Sequence, residues 1–123
     1  MDSMTYETTE KPAGFVYFIS AEGAKAVKIG SAKSPRTRLR ELQTGAMHDL
    51  VLLAVIPHPR PRKLEQHLHA EFGEHRIRSE WFSYTSEIEA FLIESAFDAH
   101  GNRVWTAYSD DPPPDIEGAW DWI

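Results

Sequence analysis

The chain contains the residue types that hydrolysis of a phosphodiester bond requires, in the order Tyr17, Lys28, Arg38 and Glu65. The reaction needs an activated water, positive charge on the developing phosphorane oxygens and stabilisation of the leaving oxygen. Tyr17 and Lys28 can assist the water, and Arg38 offers a phosphate a guanidinium fork that is always charged. Glu65 is a natural ligand for a hard divalent cation. We interpret these four residues as a candidate catalytic set.

His69 follows Glu65 by one helical turn and shares its stripe of the helix. It is either a base that assists catalysis or a histidine of the core, and the sequence leaves both open. The chain has no cysteine, which excludes disulfides and thiolate metal sites. A bound metal would be held by carboxylate, histidine or water, and we expect Mg²⁺ or Mn²⁺.

A hairpin and a helix are predicted to position the first three candidates. The aromatic and β-branched run at 15–19 and the apolar run at 26–30 indicate two paired strands. Side chains of like parity in such a pair can emerge on one face, which would bring Tyr17 and Lys28 together. Ser34-Pro35 is typical of a helix start and Gly45 of a helix end, so Arg38 is expected on a short basic helix.

Later segments are predicted to complete the core and to carry Glu65. The continuous apolar run 50–56 indicates a third strand that is buried on both faces. Leu64, Leu68 and Phe72 recur every four residues and predict a helix closed by Gly73. An extended segment over 81–84 and a last helix capped by Ser86 follow, and the larger aromatic residues are expected in the core: Phe72, Trp81, Phe82 and Phe91.

Each candidate also has a purely structural interpretation. Tyr17 alone is typical of a half-buried strand tyrosine, and Lys28 alone of a solvated strand lysine. Glu65 can simply pair with Arg62 or Lys63. The ordered combination of the residues favours the catalytic interpretation.

The charge distribution points to a nucleic-acid partner in spite of a net charge of −6. Residues 25–63 carry nine Lys or Arg against two acids, whereas residues 64–97 carry two Arg against seven Glu. Attraction to phosphate depends on local charge, so the basic half can bind DNA. The residues expected to contact the DNA backbone are Lys33, Arg36, Arg40, Arg60, Arg62 and Lys63.

We expect a flexible leader at 1–13, a folded domain at 14–97 and an acidic tail at 98–123. The longest apolar run is too short to cross a bilayer and nothing resembles a signal peptide, so a cytoplasmic protein without membrane contact is expected. The tail is either a solubilising segment or a docking segment. In the second case its Trp120 and Trp122 would bring it onto the basic face, a second copy of the chain or a partner protein.

As an ordered set, several short motifs resemble the GIY-YIG nuclease superfamily. The similarity is greatest to the branch named for a bacteriophage T-five reading frame and a meiotically up-regulated gene. The motifs cover about residues 14–97 and are Gly14-Phe15-Val16-Tyr17-Phe18-Ile19, Val27-Lys28-Ile29-Gly30, Arg38-Leu39, Glu41-Leu42-Gln43-Thr44-Gly45, Glu65-x-x-Leu68-His69-x-x-Phe72 and Glu80-Trp81-Phe82.

The resemblance implies an α/β (α+β) fold with a small three-stranded mixed sheet flanked by helices, and a metal-dependent DNA endonuclease. By position, Tyr17 is the first signature tyrosine and Lys28 stands at the second. Arg38 is then the phosphate-binding arginine, and Glu65 is the ligand of one divalent cation. Because Val16 and Phe18 loosen the first motif and no asparagine follows Glu65 where many members have one, two alternatives stay open. These are a DNA-binding module with little or no turnover and a protein-interaction adaptor that acts through the tail.

Overall fold

An antiparallel sheet of five strands forms the centre of the fold, with three α-helices in the part of the chain described. The computed structural model describes residues 11–21 and 23–97. The strands lie in the order β3-β1-β2-β5-β4. In chain order the elements are β1 (Gly14–Ala21), β2 (Ala26–Ala32), α1 (Pro35–Thr44), β3 (Leu50–His58), α2 (Pro61–Glu71), a 3-10 turn (Gly73–His75), β4 (Arg76–Arg78), β5 (Trp81–Ser83) and α3 (Ser86–Ser95).

The expected three-stranded mixed sheet is wrong in both strand number and direction. β1, β2 and β3 form as predicted, but every strand pair is antiparallel. β5 adds to the free edge of β2 and β4 adds to β5. These two strands have three residues each, and the extended segment predicted over 81–84 is confirmed as β5, whereas β4 was not predicted.

The helix start and stop signals of α1 are confirmed. Ser34 caps the helix and accepts a hydrogen bond from the Thr37 backbone N–H at 3.3 Å, and Gly45 is the C-cap. Two predicted caps shift by one residue. The C-cap of α2 is Phe72 rather than Gly73, and the N-cap of α3 is Thr85 rather than Ser86.

The sheet buries apolar side chains on both faces, and each face has its own helices. Leu64 and Leu68 of α2 and Ile88 and Leu92 of α3 pack on one face, which we call the α2 face. Leu39 and Leu42 of α1 pack on the other, the α1 face. Strand β3 contributes to both faces, which confirms that it is buried on both sides: Ala54 and Ile56 on the α2 face, Leu52 and Val55 on the α1 face. Tyr17 belongs to the α1 face.

No helix in the described ranges combines the length and the apolar character that crossing a bilayer requires. Most of the predicted leader and the whole predicted tail, with its docking hypothesis, lie outside those ranges. Of the aromatic residues predicted for the core, Phe72 and Phe82 are fully buried, whereas Trp81 and Phe91 are partly buried.

Candidate active site

The side chain of Tyr17 lies against a glycine on the neighbouring strand. In the β1–β2 register Tyr17 faces Gly30, and both residues are buried. A Cβ atom at position 30 would lie 2.5 Å from Cζ of Tyr17 and closer still to its hydroxyl oxygen. Any side chain at this position would therefore displace the tyrosine ring. The absence of a side chain at Gly30 fixes where the hydroxyl lies.

The Arg38 guanidinium on α1 lies beside the Tyr17 hydroxyl, to which it can donate a hydrogen bond. Burial raises the pKa of Tyr17 above its ordinary value of 10.0, although the interaction with Arg38 lowers it, and the charges of Glu80 and Glu65 raise it further. Arg38 also contacts the Glu41 carboxylate at 3.2 Å, and its side chain is 44% exposed. The guanidinium therefore lies next to the tyrosine and remains accessible to a phosphate.

Lys28 emerges on the same face as Tyr17, which the hairpin pattern permitted and the strand register decides. Lys28 lies opposite Ile19, two residues along β1 from Tyr17. Its Nζ atom is 3.0 Å from Oε1 of Glu80, and its side chain is only 13% exposed. The ammonium also lies 5.8 Å from the ring centroid of Trp81. Lys28 is thus a held, half-buried cation rather than a solvated strand lysine.

Glu65 reaches the sheet from α2, on the face opposite Tyr17. Its Oε1 accepts a hydrogen bond from the Ser31 hydroxyl at 2.6 Å, and its Oε2 is 3.6 Å from Nε2 of His69. Ser31 directly follows Gly30, so the carboxylate lies beside the strand position over which Tyr17 packs.

His69 is held through both ring nitrogens. Nε2 donates to the Ile29 carbonyl at 2.8 Å, because a carbonyl can only accept. Nδ1 accepts from the Arg76 guanidinium at 3.2 Å, because a guanidinium can only donate. The ring also packs 5.1 Å from that of Phe82. The proton therefore sits on Nε2, and neither nitrogen can accept a proton from water until one of these contacts opens.

The residues around Glu65 fit a weakly held divalent cation. Among the described residues, no three His, Cys, Asp or Glu side chains converge as a metal-binding group. Mg²⁺ is often held by one or two carboxylates, with water and substrate phosphate as the remaining ligands. Glu65 supplies one such carboxylate, 13% exposed, and Ser31 and His69 orient it. Of the candidate residues, Glu65 is the one whose side chain could hold such a cation.

The predicted DNA-binding residues lie at one end of the sheet. β1 begins between the last residues of β2 and β3, where Gly14 faces His58 and Phe15 faces Ala32. Both α1 and α2 start from this end. Most of the predicted residues lie in the first turn of one of these helices or just before it, and Arg40 lies in the middle of α1. The full set is Lys33, Arg36, Arg40, Arg60, Arg62 and Lys63. All of these are exposed except Arg36, which is partly buried.

A surface cavity of about 340 Å³ opens at the same end of the sheet. Lys11 and Lys33 line it together with the apolar residues Phe15 and Pro57. Tyr17 lies two residues beyond Phe15 on the same face. The cavity therefore lies at the basic end of the sheet, and neither Tyr17 nor Lys28 lines it.

Comparison with known families agrees with this geometry. Residues 14–96 match the T5orf172 domain, from the start of β1 to the end of α3. This chain belongs to the T5orf172 domain family. The T5orf172 domain is a phage-related family that is often associated with nuclease and DNA-binding functions. No curated protein and no solved structure matches the chain.

Three residues of this T5orf172 domain contact the candidate catalytic set without having been predicted to do so. Glu80 pairs with Lys28, Ser31 holds Glu65, and Arg76 holds His69. Glu80 and Ser31 had a signal in the sequence, because each lies in or next to a motif. Arg76 had no such signal, because the short Arg-Ile-Arg segment that contains it belongs to none of the motifs.

The raised pKa of Tyr17 predicts a loss of stability of the T5orf172 domain in alkali. A tyrosine whose folded-state pKa exceeds its unfolded value of about 10 stabilises the fold fully below that pH and loses this contribution as pH rises above it. Tyr17→Phe should therefore reduce the fall in unfolding free energy between pH 9 and 11, by up to about 1.4 kcal/mol per pH unit. Denaturant unfolding at several pH values measures this.

The matched variant is Tyr84→Phe, because burial also raises the pKa of Tyr84. Each variant should remove its own share of the alkaline slope. A Tyr17→Phe protein with the wild-type slope would show that Tyr17 titrates normally in the folded state.

Proposed function

We propose that this T5orf172 domain is a metal-dependent DNA endonuclease of the GIY-YIG type. The observation that supports the proposal most is the placement of Tyr17. Its buried hydroxyl lies over Gly30 and beside Arg38, and it shares a face of the sheet with Lys28. A phenol beside a partly exposed guanidinium, with an ammonium on the same face, supplies the groups that an attacking water and a phosphate require.

Each candidate residue has a role in the proposed reaction that follows from its charge and its position. Arg38 presents a partly exposed guanidinium that can bind a non-bridging phosphate oxygen and favours the transition state, in which negative charge builds up. Tyr17, ordered by Arg38 and Gly30, hydrogen-bonds and orients the attacking water. Lys28 adds a donor on the same face. Glu65, on the α2 side of the sheet, would hold Mg²⁺ or Mn²⁺ beside Ser31 near the end of β2, and the metal when bound would supply Lewis acidity to a phosphate that reaches this end of the sheet.

The basic end of the sheet gives DNA a path to this site. Lys33 and the first turns of α1 and α2 lie at the end where β1 begins, and Arg38 is one turn further along α1. Contacts of this kind bind the DNA backbone without reading its sequence. We infer that the basic residues orient the duplex and that Arg38 meets the scissile phosphate.

A second function, DNA binding with little turnover, is favoured by one observation. Lys28 and Arg38 are each paired with a carboxylate of the protein, Glu80 at 3.0 Å and Glu41 at 3.2 Å. A cation that stays paired in this way offers less of its charge to a phosphate. If these pairs persist when DNA binds, the fold would hold DNA without accelerating hydrolysis.

Cleavage of supercoiled plasmid separates the two functions. Purified protein incubated with Mg²⁺ or Mn²⁺ should nick the plasmid, and EDTA should stop the reaction. Arg38→Ala should lower the nicking rate by about 100-fold, because the guanidinium stabilises charge that appears only in the transition state.

The matched control is Arg36→Ala, two residues earlier on the same helix. This variant should lower DNA affinity while kcat stays near the wild-type value, since a backbone contact acts equally in the bound and transition states. Equal losses in the two variants would mark both as general phosphate contacts. DNA binding by the wild-type protein without nicking in either metal would establish the second function.

A further inference from the structure

Glu80 forms an ion pair with Lys28 and stands at a constrained turn. Its Oε1 lies 3.0 Å from Nζ of Lys28, and the lysine side chain is 13% exposed while that of Glu80 is 36% exposed. The pair thus joins a half-buried ammonium to a carboxylate at the surface. An ammonium has three N–H donors, and this contact directs one of them toward Glu80.

The backbone fixes the carboxylate beside the lysine. The Glu80 carbonyl accepts a hydrogen bond from the Ile29 N–H at 3.0 Å, next to Lys28 on β2. Ser79 before it has a φ of 54°, in the left-handed region that non-glycine residues seldom adopt. Positions held in this region are over-represented at functional sites because the surrounding structure has to stabilise them. The β4–β5 turn therefore delivers Glu80 to one defined place.

Trp81 completes the enclosure of the ammonium. It faces Lys28 in the β2–β5 register, and its ring centroid lies 5.8 Å from Nζ. The negative charge of Glu80 also adds to the effect of burial in raising the pKa of the Tyr17 hydroxyl. Lys28 thus contacts the Glu80 carboxylate and the Trp81 indole, and it lies on the face of the sheet that carries Tyr17.

We propose that Glu80 is the positioning residue for Lys28, holding its ammonium so that the remaining donors point to the side on which the attacking water and phosphate bind. This inference rests on the proposed endonuclease function. Glu80 acts through Lys28 and does not itself touch substrate. The β4–β5 hairpin, which the three-stranded expectation lacked, is then a part of the site as well as of the fold.

The test compares Glu80→Gln with Glu87→Gln. Glu87 is the matched control because its carboxylate also contacts a side-chain nitrogen at 3.0 Å, that of His75, away from the site. Glu80→Gln keeps the size of the side chain and removes its charge. We expect it to lower kcat for plasmid nicking by about 10- to 100-fold with KM unchanged, as loss of alignment does. Glu87→Gln should leave both constants at their wild-type values.

A second readout does not depend on activity. Each protein is treated with trace acetic anhydride, and the acetylation of Lys28 is quantified by peptide mass spectrometry against that of Lys25 in the same chain. Lys28 should react about threefold faster or more in Glu80→Gln, which corresponds to the middle of the range for a single exposed ion pair. Glu80→Asp, which keeps the charge on a shorter stem, should fall between wild type and Glu80→Gln in both readouts.

The outcomes separate this inference from the endonuclease proposal. Unchanged Lys28 acetylation, or unchanged kcat in a wild-type enzyme that does nick DNA, overturns the role of Glu80 and leaves the endonuclease standing. A large fall in the melting temperature of Glu80→Gln also overturns it, because the residue would then stabilise the hairpin. Absence of nicking by wild type overturns the endonuclease, and the acetylation result still decides whether Glu80 holds Lys28.

Discussion

Glu65→Ala will lower DNA cleavage by about 1,000-fold while DNA affinity stays within about twofold. A bound divalent cation contributes several kcal/mol of transition-state stabilisation, and each 1.36 kcal/mol corresponds to a factor of ten in rate. Glu65 is the residue assigned to that cation, and its carboxylate is oriented by Ser31 at 2.6 Å. The basic residues that bind the DNA backbone are unaffected. The measurements are nicking rates under single-turnover conditions and binding to a labelled duplex.

Helix α2 will survive the substitution, which makes the result interpretable. Leu64 and Leu68 are fully buried and anchor the helix on the sheet, whereas Glu65 contributes hydrogen bonds at a partly exposed position. Alanine has the highest helix propensity. Glu71→Ala is the matched control, because Glu71 lies at the end of the same helix and pairs only weakly with His67 at 3.3 Å. Wild-type nicking by Glu65→Ala would refute the assignment of the metal ligand.

Gly30→Ala will destabilise the fold and abolish activity together. The new Cβ would overlap the ring of Tyr17, with Cζ at 2.5 Å and Cε1 at 3.0 Å, and both residues are buried between strands and α1. Overpacking of this kind costs about 1–3 kcal/mol, which lowers the melting temperature of a domain this size by roughly 4–20 °C. The tyrosine would also leave Arg38, so cleavage should fall by at least about 100-fold.

Two further variants check the cause. Gly45→Ala is the control, since no atom lies within 4 Å of a Cβ built there, and it should stay close to wild type. Adding Tyr17→Phe to Gly30→Ala removes the hydroxyl, the atom that overlaps most, but leaves the ring carbons in place. It should therefore restore only part of the melting temperature. A Gly30→Ala protein with wild-type stability would show that Tyr17 does not pack over Gly30 in solution.

The elements that carry the candidate residues followed from the sequence. Ser34, Pro35 and Gly45 set the bounds of α1 through contacts within a few residues. The α2 spacing likewise put Glu65 next to the buried stripe. These are local properties, so the order of residue types was sufficient to predict them. The hairpin pattern only permitted Tyr17 and Lys28 to share a face, and the β1–β2 register, with Tyr17 opposite Gly30 and Lys28 opposite Ile19, places them there.

The partners of the candidate residues were decided by the tertiary structure. β5 was predicted as an extended segment and β4 was not, and the sequence does not predict that the two strands pair on the edge of β2, because that depends on which strand edge offers unpaired backbone groups. Strands β4 and β5 place Glu80 beside Lys28 and Arg76 beside His69. The packing of α2 on the sheet places Glu65 beside Ser31, 34 residues earlier in the chain. Such contacts depend on how the sheet assembles, and no local period in the sequence encodes that. The sequence by itself determined which chemical groups this protein carries and on which elements, whereas the sheet determined their partners, because a side chain's partner is set by the elements that pack around it.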